Sequence, residues 1–423
     1  DYLACTLWTR DASGTMPVFD YTPGRTGDED EPWTPRFYEV EGKAYFLVQT
    51  NIDDMESAPV REWWVSDGTP TGTLRAAGPP PWPAVPPVPP VVPVAAPFAA
   101  ARRCSTRDGR QFFLTDAGYR DRSALWVGDG TEAGTLRVPV AEQSLPTASA
   151  SPLELTELNG ALLFTATDGL HGRELWRTDP TSGTTMLLRD IVPGPRGSLP
   201  AQLTALAGHV YFTVRDPSGR RTLWLTDGTA SGTAAVILPA GDVADRTIDQ
   251  LTVVGPALVF TAAGADGVRE VWRMDARGTE RVLGVDALRL KVAGDALFVV
   301  TTEAEGLVLW RSDGTAAGTV RLGALFSGPG GVIDDSAAAG DGLVVLGHRA
   351  GGARVELWGS DGTGTVQLGD LPLDHGPLAT RGDTVLFARG PTLWATDGTP
   401  AGTRALVTPD HGADISHLVT VER

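Results

Sequence analysis

The sequence has 423 residues, a formal net charge of −17 and 42% hydrophobic residues. This acidic balance excludes nucleic acid and anionic membranes as expected partners, because binding to phosphate needs clustered lysine and arginine. No run of eighteen apolar residues occurs, so the sequence predicts no membrane-spanning helix. Length alone leaves the number of domains open.

The N-terminal segment begins at Asp1 without an initiator methionine, which fits a processed piece of a longer precursor. We therefore expect a secreted or cell-surface location. Two strands are predicted here, over residues 3–11 and 15–21. Cys5 and Cys104 are the only cysteines. A disulfide and two buried thiols are equal interpretations of this pair.

A tryptophan followed three residues later by an aspartate recurs along the whole chain. The tryptophans are Trp8, Trp64, Trp126, Trp176, Trp224, Trp272, Trp310, Trp358 and Trp394. Successive copies are 36 to 62 residues apart, which is the length of a unit of four short strands. Apolar residues alternate with a period of two, and no helical stripe is found, so the fold class is all-β. The repeat predicts a β-propeller with four-stranded blades.

The copy over residues 200–238 shows the parts of one blade, which are short β-rich runs bounded by Gly, Pro or Asp. Successive side chains of a strand point to opposite faces. Leu223 and Trp224 should therefore pack against the two neighbouring blades, with the tryptophan filling the space between blades.

The turn after the tryptophan has the form Asp-Gly-Thr-x-x-Gly-Thr in its complete copies. These begin at Asp67, Asp129, Asp227, Asp313 and Asp397. The aspartate can accept backbone N–H groups two residues on, and glycine permits positive φ. We interpret these aspartates as structural, with a ring of cation sites as the alternative.

The runs Glu174-Leu175-Trp176 and Glu356-Leu357-Trp358, together with these turns, resemble the ELWxxDGT repeat family of bacterial, often secreted or surface, proteins. The resemblance covers essentially the whole chain. It implies a propeller-like repeat domain without an assigned activity.

Ring closure is predicted to use both ends of the chain. The N-terminus supplies only the later strands of a unit, and residues 415–421 match a first strand, so together they would form a composite blade. We predict a single propeller over residues 1–423 with nine blades; eight is the alternative.

The segment over residues 78–97 is proline-rich and too poor in backbone donors for a sheet interior. It is predicted to leave the propeller as an excursion. A stiff spacer is the favoured interpretation, and a docking segment for a protein partner is the alternative.

Sequence signatures of catalysis or nucleotide binding are missing, and the six histidines do not recur at equivalent positions. Three acidic runs contain the candidate metal ligands. These are Asp28, Asp30, Asp53, Asp54, Asp334 and Asp335. Calcium would need several such oxygens to converge. Solvated loops are the favoured interpretation, and no cofactor is predicted.

The sequence leads to a first functional hypothesis of a non-enzymatic binding or assembly module that contacts a protein or polysaccharide through its broad face or its Pro-rich segment. A secreted lyase or hydrolase with a site in the central channel is one alternative. A carbohydrate-binding propeller is the other. It is disfavoured because the only repeating aromatic residue is the strand tryptophan.

Overall fold

In the computed structural model, 34 strands form antiparallel sheets, and no helix occurs among the described residues. The structure describes residues 5–11, 14–21, 37–40, 43–50, 60–66, 74–75, 103–105, 111–115, 124–128, 136–138, 152–168, 170–179, 184–216, 218–239, 243, 245–327, 330–349, 352, 354–371, 378–389 and 392–407. The all-β prediction is confirmed.

The N-terminal part of the described chain contains one two-stranded pair and two four-stranded sheets. The pair is β1 (Cys5–Asp11) and β2 (Gly14–Tyr21). The first sheet contains β3 (Phe37–Val40), β4 (Lys43–Thr50), β5 (Val60–Ser66) and β6 (Leu74–Arg75). The second contains β7 (Arg103–Ser105), β8 (Gln111–Thr115), β9 (Ala124–Gly128) and β10 (Leu136–Arg137).

Six more four-stranded sheets follow in chain order, each with its strands in sequential order. The first three are built from β11 (Leu153–Leu158), β12 (Ala161–Thr167), β13 (Arg173–Thr178) and β14 (Thr185–Arg189); β15 (Ala201–Leu206), β16 (His209–Arg215), β17 (Arg221–Thr226) and β18 (Ala234–Ala235); and β19 (Thr247–Val254), β20 (Ala257–Ala263), β21 (Arg269–Asp275) and β22 (Gly278–Leu283).

The last three are built from β23 (Ala287–Ala293), β24 (Ala296–Glu303), β25 (Gly306–Ser312) and β26 (Val320–Ser327); β27 (Val332–Ala339), β28 (Gly342–His348), β29 (Val355–Ser360) and β30 (Val366–Leu371); and β31 (Ala379–Arg381), β32 (Thr384–Arg389), β33 (Thr392–Thr396) and β34 (Arg404–Val407).

Neighbouring sheets meet mainly through their first strands. Each of β11, β15, β19 and β23 contacts the first strand of the next sheet, and β27 contacts both β31 and β32. The sheets therefore fan out from one shared side, which is the arrangement of a β-propeller. We call the row of first strands β11, β15, β19, β23 and β27 the inner wall.

The hydrophobic core is divided into clusters that lie between consecutive sheets. In each sheet from β11 to β30 the repeat tryptophan packs toward the preceding sheet and the apolar residue before it toward the following one, and Trp394 of the last sheet also packs toward the preceding one. Trp272, for example, lies in the cluster that contains Leu223 and Ile248, whereas Val271 lies in the cluster of Leu297. This is the alternation expected from the sequence, and it makes the tryptophan the contact between sheets.

Several predictions concern residues outside the described part of the chain. The Pro-rich segment 78–97 and the closing strand 415–421 lie outside it, as do Asp28, Asp30, Asp53, Asp54, Asp67 and Asp129. Trp8, Trp64 and Trp126 lie on β1, β5 and β9.

Candidate functional site

The inner wall carries a repeated hydrogen-bonding side chain, four residues before the end of the first strand. In four sheets this side chain accepts a backbone N–H group from the first strand of the next sheet or from the residue just before it. The bonds are Gln202 N to Glu154 Oε2 at 3.2 Å, Leu251 N to Gln202 Oε1 at 2.9 Å, Leu290 N to Gln250 Oε1 at 2.8 Å and Leu378 N to Asp335 Oδ2 at 3.0 Å. We call this residue the clasp residue, because it fastens one sheet to the next.

Local backbone geometry points the clasp side chain across the gap between sheets. Glu154, Gln202 and Gln250 have φ values of 57°, 60° and 53°, and each lies at a bulge in the pairing of the first and second strands. Positive φ is uncommon for residues other than glycine and persists where surrounding bonds hold it. The hydrogen bonds between sheets therefore stabilise a backbone that these residues would otherwise avoid.

Charged pairs lie beside the clasps at the start of the wall strands. Arg221 Nη1 is 3.0 Å from Asp249 Oδ1. Arg269 donates two hydrogen bonds to the Asp286 carboxylate, from Nε to Oδ1 at 2.8 Å and from Nη2 to Oδ2 at 2.7 Å. The hydrogen bonds from the Arg269 side chain lower the pKa of Asp286, despite the opposing effect of burial. Arg269 thus holds the Asp286 carboxylate ionised and in place.

The Asp-Gly-Thr turns share one hydrogen-bond pattern. In the turn at Asp227, the carboxylate Oδ1 accepts Thr229 N at 2.8 Å and Thr229 Oγ1 at 2.7 Å. Thr233 Oγ1 donates to Thr229 O at 2.7 Å. A Cβ atom at Gly232 would overlap the Asp227 carboxylate, which explains the second glycine. The same bonds recur at Asp313 and Asp397.

These bonds change the acidity of the turn aspartates. A hydrogen bond from the threonine side chain two residues on is the main cause that lowers the pKa of Asp227, Asp313, Asp361 and Asp397. The carboxylates of these four aspartates thus accept hydrogen bonds from their own turns, which agrees with the structural interpretation. For Asp67 and Asp129, which lie outside the described residues, the structural role stays a prediction.

The glutamates of the Glu-Leu-Trp runs are buried and bonded within their own surroundings. Glu174 accepts Ser198 N at 2.8 Å, Ser198 Oγ at 2.5 Å and Val192 N at 3.1 Å. Burial is the main reason that the pKa of Glu174 is raised, although these bonds oppose it. Glu356 accepts Arg349 Nε at 2.8 Å. The repeat glutamates therefore join loops to strands.

Asp334 and Asp335, the two metal candidates within the described residues, have different partners. Asp334 Oδ2 is 2.9 Å from His348 Nδ1, whereas the Asp335 carboxylate accepts the N–H groups of Ser336 at 2.7 Å and Leu378 at 3.0 Å. Within the described part of the chain, no three His, Cys, Asp or Glu side chains gather in a way that could hold a metal ion.

One histidine lies in a carboxylate environment that sequence reasoning missed. His171 Nδ1 is 2.6 Å from Asp168 Oδ2. This hydrogen bond is the main cause that raises the pKa of His171, and Asp190 and Glu174 add to it through their charge. The pair fixes the loop between β12 and β13, because Asp168 Oδ1 also accepts Leu170 N and His171 N, both at 2.9 Å.

The clasp residues were also missed, although the sequence carries a signal for them. Glu154-Leu155-Thr156, Gln202-Leu203-Thr204 and Gln250-Leu251-Thr252 recur at intervals of 48 residues. An acid or amide directly before a Leu-Thr pair therefore marks three of the four clasps, whereas Asp335 is followed by Ser336 and Ala337.

Among the described residues, no helix has the length and apolar character that a membrane span requires. No family model matches the sequence, and no curated protein matches it either. The resemblance to the ELWxxDGT repeat family therefore stays a prediction.

Solved structures do show similarity to this chain. A prolyl endopeptidase aligns with a TM-score of 0.46 and 15% identity, over 73% of this chain and 50% of the other. Oligopeptidase B from Leishmania major aligns at 0.49 and 12%, over 73% and 48%. The β-propeller domain of the Trilobed protease from Pyrococcus furiosus aligns at 0.39 and 11%, over 79% and 96%. The chain thus spans about half the length of the first two.

The expectation of a non-enzymatic binding or assembly module is wrong. The three structures named above are two peptidases and the propeller domain of a protease, and they give no support to the leaning away from an enzyme. The error came from treating missing sequence signatures as informative, although a propeller site is assembled from distant segments.

Proposed function

We propose that this chain is the propeller part of a peptidase-like protein and that it holds extended peptides at its inner wall. One observation carries the proposal. Each first strand pairs with a neighbour on one side only, so the backbone groups of its other edge point away from the sheet. The described wall therefore offers a row of strand edges.

Strand edges and peptides have matching chemistry. An extended peptide presents alternating N–H and C=O groups, which can bond to an unpaired edge. The clasps use the N–H groups of Gln202, Leu251 and Leu290 on the wall strands, which leaves further edge groups for a ligand. The Gln202 and Gln250 amide nitrogens each use one donor hydrogen, for Asp249 and for the Leu288 carbonyl respectively, and each has one further donor hydrogen.

The test of this function is peptide binding and cleavage by the full chain. A fluorescent, extended decapeptide should bind saturably, and an unlabelled peptide should displace it. A soluble polysaccharide of similar size is the control and should leave the peptide signal unchanged. Mass spectrometry of the incubated peptide then reports whether the chain alone cleaves it.

The proposal fails if no peptide binds, or if the polysaccharide displaces the peptide. Binding without cleavage would place the reacting groups outside this chain, and cleavage would place them within it. Both of these results agree with a peptidase-like protein.

For the ring itself we propose nine blades, with β1 and β2 completed by residues 415–421. Eight blades are the alternative. The support is the position of β1, which carries a repeat tryptophan and pairs with β2 as a third strand pairs with a fourth. We also propose a secreted or surface location and membership of the ELWxxDGT repeat family.

A further inference from the structure

The clasp position of β23 breaks the pattern of the inner wall. Arg289 occupies it, four residues before Ala293 at the end of the strand. A guanidinium group has donors and no acceptor, so it cannot receive an N–H group from the next sheet. The sheet that begins with β23 therefore lacks the clasp that the other four wall strands have.

Other contacts compensate for the missing clasp. Ser336 N, at the equivalent place of the next strand, is bonded at 2.7 Å to the side chain of its own neighbour Asp335. One core cluster joins the two sheets and includes Phe298, Phe326 and Val345, with Leu288 packed against it. Arg289 is thus not needed to hold the sheets together.

A second cation accompanies Arg289 on the same face of β23. Lys291 lies two residues further along, and the pairing with β24 runs without a bulge from Arg289 to Lys291. Both residues are partly buried. Within the described residues, neither side chain has an ion-pair or hydrogen-bond partner.

Arg289 and Lys291 have no counter-charge among the described residues, although the sequence is rich in carboxylates. The sequence has 52 acidic and 35 basic residues, so carboxylates are in excess. The neighbouring carboxylates Asp249 and Asp286 are paired with Arg221 and Arg269 instead. Removing a charge from water is costly unless a counter-charge meets it. The pair is consequently poised to take an anion from outside.

We infer that Arg289 and Lys291 form a subsite for the carboxylate of a bound peptide. This inference rests on the proposed function and specifies the ligand group. The planar guanidinium of Arg289 matches a carboxylate with two parallel hydrogen bonds, and the Lys291 ammonium adds a point charge. A peptide lying along the wall would be oriented by its C-terminal carboxylate, which would bind at β23.

The experiment compares two probes on the full chain, the extended decapeptide with a free C-terminal carboxylate and the same peptide as its C-terminal amide. Neither peptide contains acidic side chains. We expect the carboxylate form to bind about tenfold or more tightly. Arg289→Gln should abolish this preference, and Arg289→Lys should keep part of it. Arg277→Gln, which removes an exposed arginine from the turn between β21 and β22, is the matched control and should leave it intact.

The variants also separate a binding role from a folding role. Gln is the clasp residue of two other wall strands, so Arg289→Gln is expected to retain or raise the melting temperature while it removes the carboxylate preference. Equal binding of the two peptides by the unaltered chain would overturn the inference and leave the proposed function standing. If neither peptide binds, the proposed function itself fails.

Discussion

At the residue scale, the second glycine of the Asp-Gly-Thr-x-x-Gly-Thr turn is fixed by a carboxylate. The Asp227 side chain fills the space that a Cβ atom at Gly232 would need. Gly364, in the shorter turn after Asp361, has no atom within 4 Å of the equivalent position. The two glycines therefore form a matched pair for substitution.

Gly232→Ala should lower the free energy of unfolding by about 1–3 kcal/mol, because the carboxylate must move and give up its bonds to Thr229. Gly364→Ala should change it by less than about 0.5 kcal/mol. Urea denaturation of both variants measures the difference. Equal losses would show that the turn does not depend on this packing.

The lowered pKa values of the turn aspartates predict how the stability of the protein changes with pH. The pKa of Asp313 is lowered in the folded protein, chiefly by the Thr315 side chain. A lowered pKa means that this stabilisation is present above the ordinary aspartate pKa and is lost as the pH falls through the lowered one. In denaturation series below pH 4, Asp313→Asn should therefore show a shallower loss of stability than the unaltered chain. Parallel curves would exclude a contribution from this carboxylate.

At the element scale, the clasps explain how sheets that share no strand pairing are joined at the inner wall. Gln250 is the clearest case, since it accepts Leu290 N at 2.8 Å and donates to Leu288 O at 3.1 Å. Two groups of the next strand thus depend on one amide. The other contacts between these sheets are the Arg269–Asp286 pair and an apolar cluster that includes Val254, Val271 and Val299.

Gln250→Ala should destabilise the protein by about 1–3 kcal/mol, because it leaves Leu290 N and Leu288 O without their partner. Hydrogen exchange should reveal where this happens, with faster exchange at Leu290 N than in the unaltered chain. Gln367→Ala on β30 serves as the control, because it removes an exposed amide whose one side-chain bond within the described residues is to Asp370. Slow exchange at Leu290 in the variant would mean that packing alone protects this strand.

At the scale of the whole molecule, consecutive sheets are coupled through clusters that each contain a repeat tryptophan. An interruption at any one sheet therefore exposes the apolar surface of two neighbours. The proposed ring would apply the same coupling to the first and last sheets, through residues 415–421.

Removal of residues 408–423 should then lower the melting temperature by several degrees and broaden the unfolding transition, because the N-terminal pair would lose its inner strand. Differential scanning calorimetry measures both effects. A chain cut after residue 407 that unfolds like the full chain would contradict closure through the C-terminal segment.

The sequence by itself determined the all-β class, the recurring four-stranded unit and the bonding of the described turn aspartates, because these depend on residues close together in the chain. Trp224 and Asp227, three positions apart, identify both a strand and its turn. Only the tertiary structure decided that Gln202 and Gln250 join successive sheets and that Arg289 has no hydrogen-bond or ion-pair partner among the described residues. Those facts depend on groups about 40 to 50 residues apart, whose meeting is set by the fanning of the sheets and not by local pattern.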